Sequence, residues 1–168
     1  MTGRVETTRL TNLPLGLEVL SSEADAQGHR FLRRLIEEWS TGANRFDGQG
    51  EMLFGARVQG RLVGIGGLNS DPYLRDPSVG RVRHLYVLEA FRWHGVGQHL
   101  LESIVAAARG VFHELHLRTD SDQAARFYER FGFRRINSET ATHALTFGTL
   151  KPAQQCSGRG TARMEARR

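Results

Sequence analysis

The spacing of apolar positions changes along this chain, and each change marks an element. Leu15, Leu17 and Val19 alternate with smaller or polar residues after Pro14, a period of two that predicts a first strand over Leu15–Leu20. Ser21 or Ser22 then caps a helical stretch, in which Phe31, Leu32, Leu35, Ile36 and Trp39 fall at helical spacing. Gly42 to Gly50 reads as a loop. Met52–Val58 and Arg61–Leu68 form a hairpin about the Gln59-Gly60 dipeptide. A second loop, Asn69–Gly80, holds Pro72 and Pro77 and leads to an apolar strand, Val82–Leu88.

Next comes an amphipathic helix from Gln98 to Arg109. Val96, Leu100, Leu101, Ile104, Val105 and Ala108 make its single apolar stripe, and Gly110 ends it. Val111–Arg118 reads as a strand. Ser121 caps a short helix through Arg130, which Gly132 stops. Phe133–Ile136 and His143–Phe147 close the series as strands. The order βα–ββ–βα–βα–ββ, with no internal repeat, predicts an α/β or α+β fold.

Composition narrows the class. A chain of 168 residues has the size of one domain, and 39% apolar with 24% charged residues is ordinary for a soluble globular protein. No apolar run approaches the ~20 residues of a membrane span. Met1–Pro14 lacks the apolar stretch of a signal peptide, so the cytoplasm is the expected compartment. The single cysteine, Cys156, excludes an internal disulfide. Of the net charge of +5, +4 sits after residue 150, where five cations face Glu165 alone; residues 1–150 carry +1. A nearly neutral body argues against a nucleic-acid-binding face. The expected organisation is one domain over 1–150 followed by a basic, disordered tail over 151–168.

The candidate chemistry lies at 82–97. There the strand Val82-Arg83-His84-Leu85-Tyr86-Val87 empties into Arg92-Trp93-His94-Gly95-Val96-Gly97 at the start of a helix. Glycines let backbone approach a ligand, and the first N–H groups of a helix lack internal partners and sit at its positive end. That combination suits a pyrophosphate. Arg-x-x-Gly-x-Gly is not the dinucleotide fingerprint, and no nucleotide-triphosphate loop occurs.

With the preceding strand, this stretch resembles motif A of the GNAT superfamily of acyl-CoA-dependent N-acyltransferases, through Arg92, Gly95 and Gly97. Ala124-x-x-x-Tyr128-x-x-x-Gly132-Phe133 is similar to its motif B. The resemblance covers roughly residues 15–148. It implies a mixed, mostly antiparallel sheet splayed between its two central strands, with helices on both faces. It further implies acetyl-CoA (coenzyme A) as cofactor. The backbone of Leu85, Tyr86 and Val87 would pair with the pantetheine arm, and the Val87 amide would face the thioester oxygen and steady the oxyanion of the reaction. Arg92, Trp93, His94, Gly95, Val96, Gly97 and Gln98 would surround the pyrophosphate, with the Trp93 and His94 side chains at the rim. Tyr128 would protonate the departing thiolate. Ser121 stands where many relatives hold Asn, seven residues before this tyrosine.

For the acceptor, the helices and loops beside the slot offer Trp39, Arg45, Asn69 and Tyr73, together with Phe46 and Asp71. Strand alternation puts Arg81 and Arg83 on the face where some relatives carry a catalytic Glu or His, and turns His84 the other way. Arginine cannot act as a base at neutral pH. Either water relays the proton to a group such as Glu89 or His84, or the arginines grip an anionic substrate.

Several other chemistries find no support. His113-Glu114-Leu115-His116 is one residue short of a zinc-protease motif, no Cys-x-x-Cys pair exists, and no metal is expected. Gly64-x-Gly66-Gly67 lies inside an apolar strand, where close packing explains it. The expected activity is direct acetyl transfer to a primary amine in a ternary complex, a small molecule being favoured over a protein N-terminus or lysine. The alternative is a non-catalytic acyl-CoA-binding module. No nucleic acid or membrane partner is expected, and a homodimer is left open.

Overall fold

The computed structural model describes residues 3–148. The tail expected over 151–168, with Cys156, lies outside the described residues. Seven strands form one sheet in the order β1-β2-β3-β4-β5-β7-β6, with four helices. Every neighbouring pair is antiparallel except β4 with β5.

The first strand is not where alternation put it. β1 is Val5–Leu10, an edge strand paired with β2 from Val5 opposite Val58 to Leu10 opposite Leu53. Leu17–Ala26 is helix α1 instead. Gly16, in the left-handed region at φ 92°, starts it, and Leu17, Leu20, Ser21 and Ala24 are buried at helical spacing. Six residues are too few to separate the two periods when Leu17 fits both and Leu20 alone marks the helical one. The single expected helical stretch is also two. Gly28, at φ 83°, breaks the chain between α1 and α2 (Phe31–Thr41), which buries Leu32 and Leu35.

The remaining elements lie close to expectation. β2 (Met52–Val58) and β3 (Arg61–Ser70) join through Gln59 and Gly60, at φ 51° and 78°. Both values are those of the mirror-image turn that matches strand twist. β4 is Val79–Val87, and a single 3₁₀ turn, Glu89–Phe91, separates it from α3 (Val96–Ala108). All six residues of the expected α3 stripe are buried. β5 shrinks to Glu114–Leu117. In α4 (Asp122–Phe131) the Ser121 hydroxyl accepts from the Ala124 amide at 3.2 Å, and Gly132 caps the other end at φ 113°. β6 is Arg134–Arg135 and β7 is His143–Thr146.

Adjacent glycines of β3 show how the layers sit. A Cβ on Gly66 would meet Leu85 and Ile104 of α3, whereas one on Gly67 would lie 2.4 Å from the Phe46 ring, on the other face. So α3 covers one face, and α1, α2 and the Phe46 loop cover the opposite one. The splay is visible in the pairing: β4 and β5 share only Val79–Glu114, Gly80–Leu115 and Arg81–His116 before they part.

Phe46 cannot retreat easily, because it is buried and its amide donates to Asn44 Oδ1 at 3.1 Å. Gly67→Ala should therefore destabilise the protein by about 1–3 kcal/mol, the usual range for overpacking. The loss should appear as a lower urea midpoint with an unchanged denaturant slope.

Candidate active site

The site begins with an irregularity in β4. His84 and Leu85 together face the single residue Gly66, so the ladder slips by one, and His84 holds φ 57°. This bulge changes which way the side chains point. Arg83 faces α2, where its Nη2 lies 3.6 Å from Glu38 Oε2. His84 also turns to that face, with ring centroids 6.3 Å from Phe31 and 6.1 Å from Phe46. The expectation that His84 points the opposite way from Arg83 therefore fails, because simple alternation has no place for the extra residue.

Leu85 returns to the α3 face, and Tyr86 points back to α1. Val87 lies against α3 again: a Cβ built on Gly97 would stand 3.8 Å from Val87 Cγ2 and 3.5 Å from the Phe127 ring. Gly97 therefore sits between the end of β4 and Phe127 of α4, within van der Waals contact of both. Gly95, left-handed at φ 80°, caps α3 without any side-chain hydrogen bond to its first turn. The first amides of α3 thus have no capping side chain. An anion there would meet donors and the positive end of the helix dipole. Trp93 is exposed and holds φ 68°, and His94 Nδ1 lies 2.7 Å from the Arg92 carbonyl. Val96 is buried in the core, and the Gln98 amide donates to Glu102 at 2.9 Å.

Arg92 is turned inward. Its Nε donates to the Val87 carbonyl at 3.0 Å, its Nη2 donates to Gln27 Oε1 at 2.9 Å, and its guanidinium stacks 5.3 Å from the Tyr86 ring centre. Glu23 Oε1 accepts from the Tyr86 hydroxyl at 2.9 Å and from the Glu89 amide at 2.8 Å. Glu23 of α1 and Gln27, the residue that ends the helix, four apart, thus clamp the strand end and the turn that leads to α3. Sequence reasoning missed both; that spacing was the only signal. Burial, reinforced by the Glu23 carboxylate, pushes the Tyr86 phenol up to about 12, so it remains a donor.

Tyr128 is buried, with its ring 5.2 Å from Phe127 and 5.7 Å from Phe133. Its hydroxyl makes no hydrogen bond among the described residues. Burial raises its pKa, which keeps the phenol protonated and able to give a proton. The Ser121 hydroxyl is committed to capping α4.

On the α2 face the candidate acceptor residues divide. Asn69 is buried and exchanges two amide hydrogen bonds with Asn44, at 3.0 and 3.1 Å, which pin the Phe46 loop. Arg45 Nε donates to the carbonyl of Trp39, itself half-buried against the core. Arg81 is buried and fully engaged: Nη1 donates to Asp71 at 3.0 Å, Nη2 to the Thr140 carbonyl at 2.5 Å, and the exposed Tyr73 ring covers it at 4.7 Å. His116, register partner of Arg81, lies 3.8 Å from Asp71 and 2.5 Å from Glu114. This buried group closes the vertex where β4 and β5 part. Burial pushes the Glu38 carboxyl up, but the Arg34 hydrogen bond and the Arg83 charge outweigh it and hold it below the usual range. Glu38 was not foreseen, since on a helix surface it reads as an ordinary solvated charge.

Among the described residues, no group of three or more His, Cys, Asp or Glu side chains could hold a metal ion, and no helix is long and apolar enough to cross a membrane. The described residues thus form an unevenly paired sheet, opened between its central strands beside a glycine-capped helix. A model of the acetyltransferase (GNAT) family matches residues 17–133, and the chain belongs to that family. It is 37% identical over 82 residues to the N-alpha-acetyltransferase RimI of Mycobacterium tuberculosis (strain H37Rv). That match spans about half of each protein, 49% of this chain and 51% of the relative. A solved structure from Exiguobacterium sp. 255-15 shares 28% identity at a TM-score of 0.77, covering 85% of this chain and 93% of that one. A GNAT family acetyltransferase from Elizabethkingia anophelis, solved with acetyl-CoA bound, shares the fold at 20% identity and a TM-score of 0.55, covering 79% and 78%.

His84 makes the site sensitive to acid. Burial first, and the neighbouring Arg83 charge second, pull its pKa from 6.5 to about 4. Between those values the unfolded chain binds a proton that the folded chain refuses, so stability is complete above pH 6.5 and falls on acidification toward pH 4. The loss attributable to this residue is on the order of 3 kcal/mol. Chemical unfolding across that range should show a steeper slope for the native protein than for His84→Leu.

Proposed function

We propose that this chain transfers the acetyl group of acetyl-CoA to a primary amine by direct attack, with a small-molecule acceptor favoured. One observation carries the reading. The uncapped first turn of α3 stands beside the end of β4, in the half of that strand that β5 does not pair, and Gly97 lies between Val87 and Phe127, the neighbour of Tyr128. Uncapped amides next to an unpaired strand end are what a diphosphate and its extended arm require.

In this reading the first turn of α3, from Val96 to Gln98, holds the diphosphate, and Arg92 acts indirectly by fixing the turn before it. The β4 backbone from Leu85 to Val87 has no strand beside it on the β5 side and is free to align the pantetheine arm as an added strand. The attacking nitrogen forms its bond to the acetyl carbon as the carbon–sulfur bond breaks. Tyr128 supplies a proton to the departing sulfur, and the proton lost by nitrogen passes to water. The likeness to an N-alpha-acetyltransferase over half the chain supports amine nitrogen as the acceptor atom.

A second reading, an acyl-CoA-binding module without turnover, is favoured by one feature: Arg83 occupies the central-strand position open to α2, and the adjacent His84 is buried. The two readings separate experimentally. Saturating acetyl-CoA should raise the melting temperature by several degrees, as a ligand at 100 times its Kd adds about 2.7 kcal/mol. Tyr128→Phe should keep that shift and lower kcat on a broad amine panel by about 10²- to 10⁴-fold. A protein that binds acetyl-CoA and acetylates no amine would favour the module.

A further inference from the structure

The two sides of the opened sheet differ in chemistry, and the α2 side carries an arginine whose donors no protein group takes. Arg83 is half-buried, with a side-chain exposure of 17%, and its guanidinium makes no hydrogen bond among the described residues. Its nearest counter-charge, Glu38 Oε2, stands 3.6 Å away, and that oxygen is itself buried without a hydrogen-bond donor. Arg81, two residues earlier, shows what a satisfied arginine looks like in this fold, with Asp71, Thr140 and Tyr73 all engaged. A planar guanidinium presents five donors, and those of Arg83 are left for solvent or for a ligand's acceptors. The partner that meets such a fork best is a carboxylate taken in two parallel hydrogen bonds.

Position gives those donors a meaning. Arg83 lies just past Arg81, the last residue of β4 paired with β5, and so at the start of the opened half of the strand. It faces α2, whereas the α3 amides lie on the other side of the sheet. A ligand beside Arg83 is thus separate from a diphosphate bound at α3. The Glu38 carboxylate, its side chain 18% exposed, sets a negative charge beside Arg83 that attracts a cation to the same place.

We propose that Arg83 and Glu38 form the acceptor-recognition site, selecting a small amino carboxylate whose acid group pairs with Arg83 and whose ammonium is drawn to Glu38. This rests on the acetyltransferase reading but is tested apart from it. The probes are glycine, β-alanine, γ-aminobutyrate and the standard amino acids, each beside its carboxamide. Binding is measured calorimetrically on the CoA-loaded protein, where no transfer can occur, and on the cofactor-free protein. Acetylation is followed by thiol release from acetyl-CoA.

At least one amino carboxylate should bind tenfold or more tightly than its carboxamide. Arg83→Gln should erase that preference while leaving the carboxamide's affinity, the acetyl-CoA affinity and the melting temperature in the cofactor's presence within twofold or a degree of the native protein. Arg83→Lys should retain part of the preference. Equal binding of every acid–amide pair would overturn the proposal, as would a preference that survives Arg83→Gln, or one found only with peptides bearing an acidic second residue. Failure of acetyl-CoA itself to bind would count against the transferase reading instead, since the carboxylate preference is also read on the cofactor-free protein.

Discussion

β4 and β5 are hydrogen-bonded over three residue pairs and then separate, and the rest of the site depends on that separation. Backbone amides and carbonyls are rarely left without partners in a sheet interior, because an orphaned pair costs as much as a lost hydrogen bond. Here the second half of the central strand has no strand neighbour on one side, so water or a ligand must take its place. The opening is held rather than incidental. At its vertex Arg81, Asp71, His116 and Glu114 form a buried polar chain that ties β4, β5 and the loop after β3 together. At its wide end Glu23 of α1 and Gln27, at the C-terminal cap of that helix, fix the strand terminus and Arg92.

These two anchors divide the labour. The vertex sets where the strands part, and the clamp at the end of α1 sets where the first turn of α3 begins, so the first amides of α3 and the strand backbone are held in register with each other. Arg92 illustrates the consequence. A conspicuous cation of the glycine-bearing motif contributes through the Val87 carbonyl and the Tyr86 ring, positioning the loop from behind. The β4 bulge adds a further element: by turning both Arg83 and His84 toward α2, it gives the opposite side of the opening a charged and an aromatic character that the α3 side lacks.

Much of this architecture was legible in the chain. The hairpin about Gln59-Gly60, the six-residue stripe of α3 and the Ser121 and Gly132 caps of α4 all rest on local rules, and all lie where those rules put them. The failures have a common origin. Leu15–Leu20 satisfies two periods at once, and only packing of Leu17 and Leu20 beneath the sheet resolves it in favour of helix. β1 is an edge strand with polar residues on its open side, so its sequence lacks the apolar signature of a buried strand. Within the candidate site, Gly95, Gly97 and Tyr128 are named by a local motif. Glu38, Glu23 and Gln27 were not, because their roles exist only through residues tens of positions away.

Sequence alone therefore determined the elements from the β2–β3 hairpin onward, the glycine-capped start of α3 and the family, since each depends on neighbours within a few residues or on a spaced motif. Tertiary structure decided which face each β4 side chain takes, which arginine is satisfied and which is left wanting. A one-residue slip in a ladder is set by cross-strand pairing, and the fate of a buried charge is set by what other elements bring beside it.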